Sequence, residues 1–344
     1  MKNHITKRQC YRINKAGSIN KLKLVTENIS DPSENEVTVQ VKAIGLNFAD
    51  IFAIQGLYSA TPKESFVPGL EYSGIIIKKG SEVREFEIGD KVMGAIRFGA
   101  YTTYLNINKN YILKLTDGWS FEEGSAFTVQ SLTAYYSLVE LGNIKDQSTV
   151  LIHSAAGGVG LYANRIAKRF NAYTIGSVGS SNKIDLLKKE GYDAVIVRGS
   201  DFSEELKKSL GNRDLNIVLE CIGGKIFTES FKQMSADGRI IVYGAAQFST
   251  GGSYPNYLKV VTKYLTRPKV DPLSLSDKNK SVMGFNLIYL WDKVELMKKY
   301  LSNILKMNLP KPLIGEVYNF NDLLSAVKKF QTGQTVGKVV VRIP

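Results

Sequence analysis

Residues 148–160, Ser-Thr-Val-Leu-Ile-His-Ser-Ala-Ala-Gly-Gly-Val-Gly, constrain this chain more than any other segment. They read as a short apolar strand, a glycine-rich turn and the start of a helix. That arrangement holds a dinucleotide pyrophosphate: backbone N–H groups and the helix dipole face the anion, and glycine lets the backbone come close. The residues beyond the turn narrow the choice of nucleotide. NAD-binding folds place a carboxylate about 20 residues further on, against the ribose 2′-hydroxyl, yet no Asp or Glu stands between Gly160 and Asp185. Residues 174–183 offer Ser177, Ser180, Ser181 and Lys183 instead. Such donors suit a 2′-phosphate, so the expected cofactor is NADPH.

A glycine-rich turn alone is a weak signal, and its flanks strengthen it. Val159, Ala163, Ile166, Ala167 and Phe170 recur at helical spacing and give one apolar face to pack on a sheet. The chain then keeps alternating. Strands are expected at 150–153, 173–177, 194–197, 216–220 and 239–243, and helices at 159–170, 182–190, 203–210 and 225–234. Short apolar strands separated by amphipathic helices predict an α/β domain, a doubly wound parallel sheet of Rossmann type with right-handed crossovers. A further strand near 281–286 completes it, and a basic helix over 290–306 comes after.

The first 130 residues differ. Short β-rich runs at 37–44, 74–78, 91–95, 101–105 and 111–115 are punctuated by Gly45, Gly56, Pro68-Gly69, Gly80, Gly89 and Gly99. Strands bounded by turns, without helices between them, predict a compact barrel-like domain. Residues 336–343 read as a strand with no helix after it, which returns to that domain. The expected division is therefore 1–130 plus 268–344 for the β-rich domain and 131–267 for the inserted nucleotide domain, with a ligand cleft between the two.

Composition excludes several classes. No run of 18 apolar residues exists, so no transmembrane helix is expected, and the polar, basic first 17 residues do not read as a secretory signal. Two cysteines, Cys10 and Cys221, build no disulfide framework and fit a reducing, cytoplasmic location. The net charge of +13 is carried by lysines spread along the chain. It reads as a solvated surface, part of which serves an anionic cofactor; a weak contact with an anionic membrane surface is compatible with it. No zinc-finger, RRM-type or basic-helix pattern appears, so no nucleic acid is expected.

Several motifs together resemble one family. They are Gly45-Leu46-Asn47-Phe48-Ala49-Asp50, Gly56-Leu57-Tyr58, Pro68-Gly69-Leu70-Glu71-Tyr72-Ser73-Gly74, Leu132-Thr133-Ala134-Tyr135, residues 155–160 and the closing Val336-Gly337-Lys338-Val339. The set resembles the medium-chain dehydrogenase/reductases, and within them the zinc-free quinone oxidoreductases. Gly284-Phe285-Asn286-Leu287, followed by Val294-Glu295-Leu296, looks most like the branch of the vesicle amine transport protein homologues. The resemblance implies that the β-rich domain is GroES-like, with the Rossmann domain inserted in it. It also implies a homodimer.

Zinc relatives in this family use Cys and His ligands, and many add a four-Cys lobe. This chain has two Cys and two His in all, so the lobe cannot be built, and Asn47 and Leu70 stand at the positions of the catalytic Cys and His. His153 ends a strand, His4 lies in the polar N-terminus, and Glu71 alone makes no site; no metal is expected. Without a Lewis acid, hydride transfer from NADPH to a quinone or an α,β-unsaturated carbonyl needs the least chemical aid. The resemblance implies that Asn47 and Tyr58 line the cleft near the nicotinamide, where an amide and a phenol can donate to the acceptor oxygen. For Asn47 a turn-stabilising role after Gly45 is the competing reading, and for Tyr58 that of a packed aromatic wall. An NADP-binding interaction protein at vesicle or organelle surfaces is the alternative function.

On the cofactor side the resemblance places Thr133 at the nicotinamide amide and Ala156, Gly157, Gly158, Val159 and Gly160 at the pyrophosphate. Lys183 matches the position that meets the 2′-phosphate, with Ser177, Gly179 and Ser180 adding donors. Arg198 stands where many relatives have Tyr or His, and a guanidinium there grips phosphate or lies over adenine. Ile222, Gly223, Tyr243, Gly244, Ala245, Phe285 and Asn286 fall at or beyond strand carboxyl ends, where such sheets bind ligands. Cys221 reads as a buried hydrophobe rather than a nucleophile.

Overall fold

Alternating apolar residues set the first sheet. In β3 (Glu36–Gly45), Val37, Val39, Val41 and Ile44 are buried and anchor the core of the first part of the chain. A computed structural model describes residues 7–249 and 251–344, so His4 lies outside the described residues. Its contacts divide the chain into two units: Met1–Val129, Gly251–Pro255 and Lys311–Pro344 form one, and Gln130–Thr250 with Asn256–Pro310 the other.

The first unit opens with β1 (Lys7–Arg12) and β2 (Lys23–Asn28), an antiparallel pair within the polar N-terminal stretch. Arg8 and Arg12 on β1 both grip Glu27 on β2, at 2.7 and 2.8 Å. After β3 come β4 (Glu71–Lys79), β5 (Lys91–Ala95), β6 (Tyr104–Asn108) and β7 (Ile112–Lys114). β6 starts three residues later than the strand expected at 101–105. Tyr101 is instead buried, its backbone tied to Pro68 and Tyr11. The unit is also not free of helices between its strands. Phe48–Gln55 is a helix that starts at Asn47, buries Ile51 and Ile54, and stops at Gly56 in the left-handed region (φ 73°).

The second unit is the expected parallel sheet. β8 (Thr149–His153), β9 (Tyr173–Val178), β10 (Ala194–Val197), β11 (Leu215–Glu220), β12 (Met234–Val242) and β13 (Ser281–Gly284) lie in the order β10-β9-β8-β11-β12-β13, all parallel. The order reverses between β8 and β11, which is where doubly wound sheets bind ligands. Helix Gly158–Lys168 buries Leu161, Ala163, Ile166 and Ala167. Phe202 and Leu206 from helix Phe202–Leu210 and Phe227 from helix Gly224–Gln233 close a second core over Leu151, Ile175 and Val218.

Because β13 extends this sheet and helix Val294–Lys306 buries Tyr300, Leu301 and Ile304, residues 256–310 stay with the nucleotide unit. The chain returns to the first unit at Lys311, not at residue 268. There β14 (Ile314–Asn319) and β15 (Lys338–Arg342) complete a sheet of order β14-β15-β3-β4-β5-β7, with β6 paired to β3. β15 runs antiparallel to the end of β3, Val340 facing Gly45, and this register carries Lys338 toward Asn47. No helix among the described residues is long and apolar enough to cross a membrane.

Candidate functional site

Parallel strands send all their carboxyl ends to one edge of the sheet. The turn at 155–160 follows β8, Gly179, Ser180 and Lys183 follow β9, and Arg198 follows β10. Ile222 and Gly223 follow β11, Tyr243 to Ala245 follow β12, and Phe285 with Asn286 follows β13. The sequence singles these residues out one segment at a time, and the topology brings them to this single edge. At its centre Gly157 caps helix Gly158–Lys168 without a side chain, and no acidic residue stands in the first turn. The first-turn N–H groups thus face outward as an anion cradle. Space dictates one of the glycines and crowds another. A Cβ on Gly160 would lie 2.6 Å from the Ala155 backbone, and one on Gly158 2.7 Å from Gln130 Oε1. Gln130 and Thr133 share helix Thr128–Tyr135, so that helix lies along the glycine-rich turn.

Beside the turn, two cations stand together. Lys183 is buried, and both burial and the neighbouring Arg198 charge push its ammonium pKa down. Arg198 is half-buried, and its Nη1 donates to the Ser177 carbonyl at 2.9 Å and the Ser177 hydroxyl at 3.1 Å. Like charges in one place repel unless an anion joins them. Ser177, expected from the sequence to be a donor, is fully buried, and its hydroxyl meets His153 at 2.6 Å as well as Arg198. Gly179 and Ser180 are exposed.

Further along the edge, Glu220 is buried and accepts from the backbone of Ile222 at 2.8 Å and Gly223 at 2.9 Å. That carboxylate holds the turn in which Gly223 (φ 88°) and Gly224 (φ 60°) take left-handed conformations. Burial and Glu220 push the Cys221 thiol up, which keeps it protonated and poorly nucleophilic. Phe285 packs edge-on against Tyr136 (4.9 Å) and stacks with Tyr243 (6.4 Å), an aromatic wall beyond β12 and β13.

In the first unit, Asn47 and Glu71 converge on a lysine. Lys338 Nζ lies 2.7 Å from Glu71 Oε2 and 2.9 Å from Asn47 Oδ1, and its side chain and that of Glu71 are 3% and 0% exposed. Glu71 Oε1 accepts from Val129 N, and Asn47 Nδ2 donates to the Gly45 carbonyl. The Ser125 carbonyl dictates Gly45, where a Cβ would sit 1.9 Å from Ser125 O and also 2.7 Å from Lys338 Cε. Asp50 joins the cluster through Asn47 N at 2.8 Å and the Tyr101 hydroxyl at 3.1 Å. Its other oxygen, Oδ1, has no hydrogen-bond partner among the described residues, and burial pushes its carboxyl up to about 7, against the pull of Asn47, Lys338 and Tyr101. Tyr58 is half-buried against the first core. Lys338 belongs to the closing motif, yet the sequence assigns it no role; a charge inside the run Lys-Val-Val-Val is its visible signal.

Two family models match the chain: residues 33–117 match the alcohol dehydrogenase GroES-like domain, and residues 158–300 the zinc-binding dehydrogenase domain. The synaptic vesicle membrane protein VAT-1 homolog of Danio rerio is 33% identical over 330 residues, 94% of this chain and 68% of that protein. Among solved structures, the Escherichia coli quinone oxidoreductase complexed with NADPH aligns with a TM-score of 0.83 at 28% identity, over 97% of this chain and 99% of that one. CurK enoyl reductase aligns with a TM-score of 0.82 at 26% identity, over 98% and 99%.

The zinc in the second description does not fit the residues present. Leu70 is apolar and buried, and Asn47 and Glu71 are held by an ammonium. No group of three His, Cys, Asp or Glu able to hold a metal occurs among the described residues. A Rossmann sheet inserted in a GroES-like domain, together with the likeness to these relatives over nearly the whole chain, places the chain among the medium-chain dehydrogenase/reductases, in the zinc-free group of the VAT-1 homologues and quinone oxidoreductases.

Proposed function

We propose that this oxidoreductase transfers hydride from NADPH to a quinone or an α,β-unsaturated carbonyl, without metal. The observation that carries the reading is the Lys183–Arg198 pair at the ends of β9 and β10, two cations whose repulsion a 2′-phosphate would relieve. NADPH bound there supplies the hydride. Ala156 to Gly160 hold the pyrophosphate through backbone N–H groups. Thr133, Ile222, Gly223, Tyr243, Gly244, Ala245, Phe285 and Asn286 orient the nicotinamide half. Tyr58 and the Asn47 amide donate to the acceptor oxygen as negative charge develops on it. Because Asn47 Oδ1 accepts from Lys338, the ammonium polarises that amide and makes its N–H a better donor.

The solved quinone oxidoreductase bound to NADPH and the CurK enoyl reductase support this acceptor class. A homodimer joined through the free edge of β13, in a reducing cytoplasmic compartment, completes the reading. NADPH oxidation measured over a panel of quinones and enones tests it. Turnover with at least one acceptor is expected; tight NADPH binding without any turnover overturns the enzymatic reading. Lys183→Ala with Arg198→Ala should weaken NADPH by about a hundredfold and NADH by less than about threefold. Equal losses would remove the 2′-phosphate assignment.

One observation favours a second reading. Helix Tyr257–Leu265 exposes a broad apolar face, with Tyr257, Leu258, Val261, Tyr264 and Leu265 all at least 52% accessible, Lys259 exposed among them and Arg267 exposed just beyond. Apolar and basic residues together suit an anionic membrane surface, and the Danio rerio relative carries a vesicle membrane name. Salt-sensitive co-sedimentation with phosphatidylserine vesicles, lost in Leu258→Asp, is the outcome that reading requires.

A further inference from the structure

A buried polar chain runs through the nucleotide unit behind its phosphate cations. His153 ends β8 and is fully buried, with Nδ1 2.6 Å from Ser177 Oγ and Nε2 3.0 Å from Ser230 Oγ. The direction of each bond comes from proton counting. Ser230 gives its one hydroxyl proton to the Ile226 carbonyl at 2.8 Å, so toward His153 it accepts. Nε2 therefore carries the imidazole proton, and the bare Nδ1 accepts from the Ser177 hydroxyl. With its proton directed at His153, the Ser177 oxygen turns lone pairs outward, and Arg198 Nη1 donates to it at 3.1 Å. Burial and the Arg198 charge push the imidazole down to about 3, so it stays neutral and the bond order is kept at neutral pH.

These bonds tie four elements together: Arg198 after β10, Ser177 on β9, His153 on β8 and Ser230 on helix Gly224–Gln233. An imidazole sealed from water with both nitrogens bonded has no solvent or proton to exchange, and its reach ends at Ser177. Arginine loses much rotamer freedom when it grips an anion, and a partner that holds it beforehand reduces that cost.

We infer that His153 and Ser230 are positioning residues of the nucleotide site, which fix the Ser177 hydroxyl so that Arg198 is held ready for the ligand's 2′-phosphate. The inference rests on the assignment of Lys183 and Arg198 to that phosphate. In sequence His153 reads only as the end of a strand; its two serine partners, 24 and 77 residues away, come to it through the fold.

Calorimetric binding of 2′,5′-ADP and 5′-AMP to the full-length protein tests it without reference to turnover. Wild type is expected to favour 2′,5′-ADP. Ser177→Ala, which keeps the imidazole packing, and His153→Leu should each weaken 2′,5′-ADP by about tenfold and 5′-AMP by less than about twofold. His153→Asn offers an amide oxygen near the place of Nδ1 and should restore most of the discrimination. If Ser177→Ala discriminates as wild type does, the proposal is overturned while the phosphate assignment stands. Equal loss in His153→Asn and His153→Leu would reduce His153 to packing and overturn it too. A wild type that binds both nucleotides alike removes the assignment beneath the proposal, and the proposal with it. Should His153→Leu fail to fold, Ser177→Ala decides alone.

Discussion

Lys338 is a charge in a run of buried valines, and its surroundings explain why β15 tolerates it. Glu71 and Asn47 take two of its donors, and the stem passes over Gly45. Breaking a buried pair leaves a charge uncompensated, whereas replacing both partners is far milder. Lys338→Met should therefore cost about 3–5 kcal/mol, and Lys338→Met with Glu71→Gln should regain most of that. Urea denaturation of the two singles and the double measures the coupling; additive effects would mean that the pair contributes nothing as a pair. Asp50 gives a pH signature of opposite sign to most carboxylates. Its carboxyl is pushed up to about 7 from the ordinary value of 3.8, so the native state holds a proton that the unfolded chain has released. Its contribution to stability falls as pH rises from about 4 to about 7 and is flat above. Melting temperatures of the wild type across that window should decline more steeply than those of Asp50→Asn. Parallel curves would show that Asp50 is ionised in the native state throughout.

At the scale of elements, the helix–strand contact at the glycine-rich turn leaves no room for a side chain. A Cβ on Gly160 meets Ala155 backbone atoms at 2.6 Å, and backbone cannot move aside as a side-chain end can. Gly160→Ala should cost about 1–3 kcal/mol and shift the cradle of N–H groups, weakening 2′,5′-ADP along with 5′-AMP. Unchanged affinity for both would detach this turn from the nucleotide. The turn is legible in sequence because strand, glycines and amphipathic helix are contiguous, and the same local periodicities locate the strands β8 to β13, although β12 begins at Met234, five residues before the start expected at 239. The first unit is less legible. β1 and β2 carry Arg, Lys and Glu on their faces, and their antiparallel ladder is reinforced by the grip of Arg8 and Arg12 on Glu27, which no local periodicity reveals. Helix Phe48–Gln55 is two turns long between strands, too short for a periodic signal to outweigh its flanks. Lys183 and Arg198 can be read because each closely follows a strand. Lys338 cannot, since its partner Glu71 lies 267 residues away in sequence, on β4, and the β15–β3 and β3–β4 registers together join them.

For the whole molecule, the open question is what covers the free edge of the nucleotide sheet. Among the described residues β13 pairs with β12 alone, so one side of its backbone is unpaired by them. Phe285 N donates to Val242 O, which fixes the phase: residues 281, 283 and 285 face β12, and Val282 and Gly284 present their N–H and C=O groups outward. An exposed edge of this kind can recruit another strand, and in the proposed homodimer β13 of a second copy, related by a two-fold axis, would satisfy it symmetrically. A proline at Gly284 removes an outward donor without touching the β12 ladder; Gly284 has no positive φ, and an added Cβ would meet Val242 O at an ordinary contact distance of 3.6 Å. Light scattering after gel filtration should then give twice the protomer mass for wild type and the protomer mass for Gly284→Pro. Circular dichroism of the variant should retain the native helix and strand signal. A wild type that is monomeric at micromolar concentration, or a Gly284→Pro protein that still dimerises, would place the proposed interface elsewhere than β13.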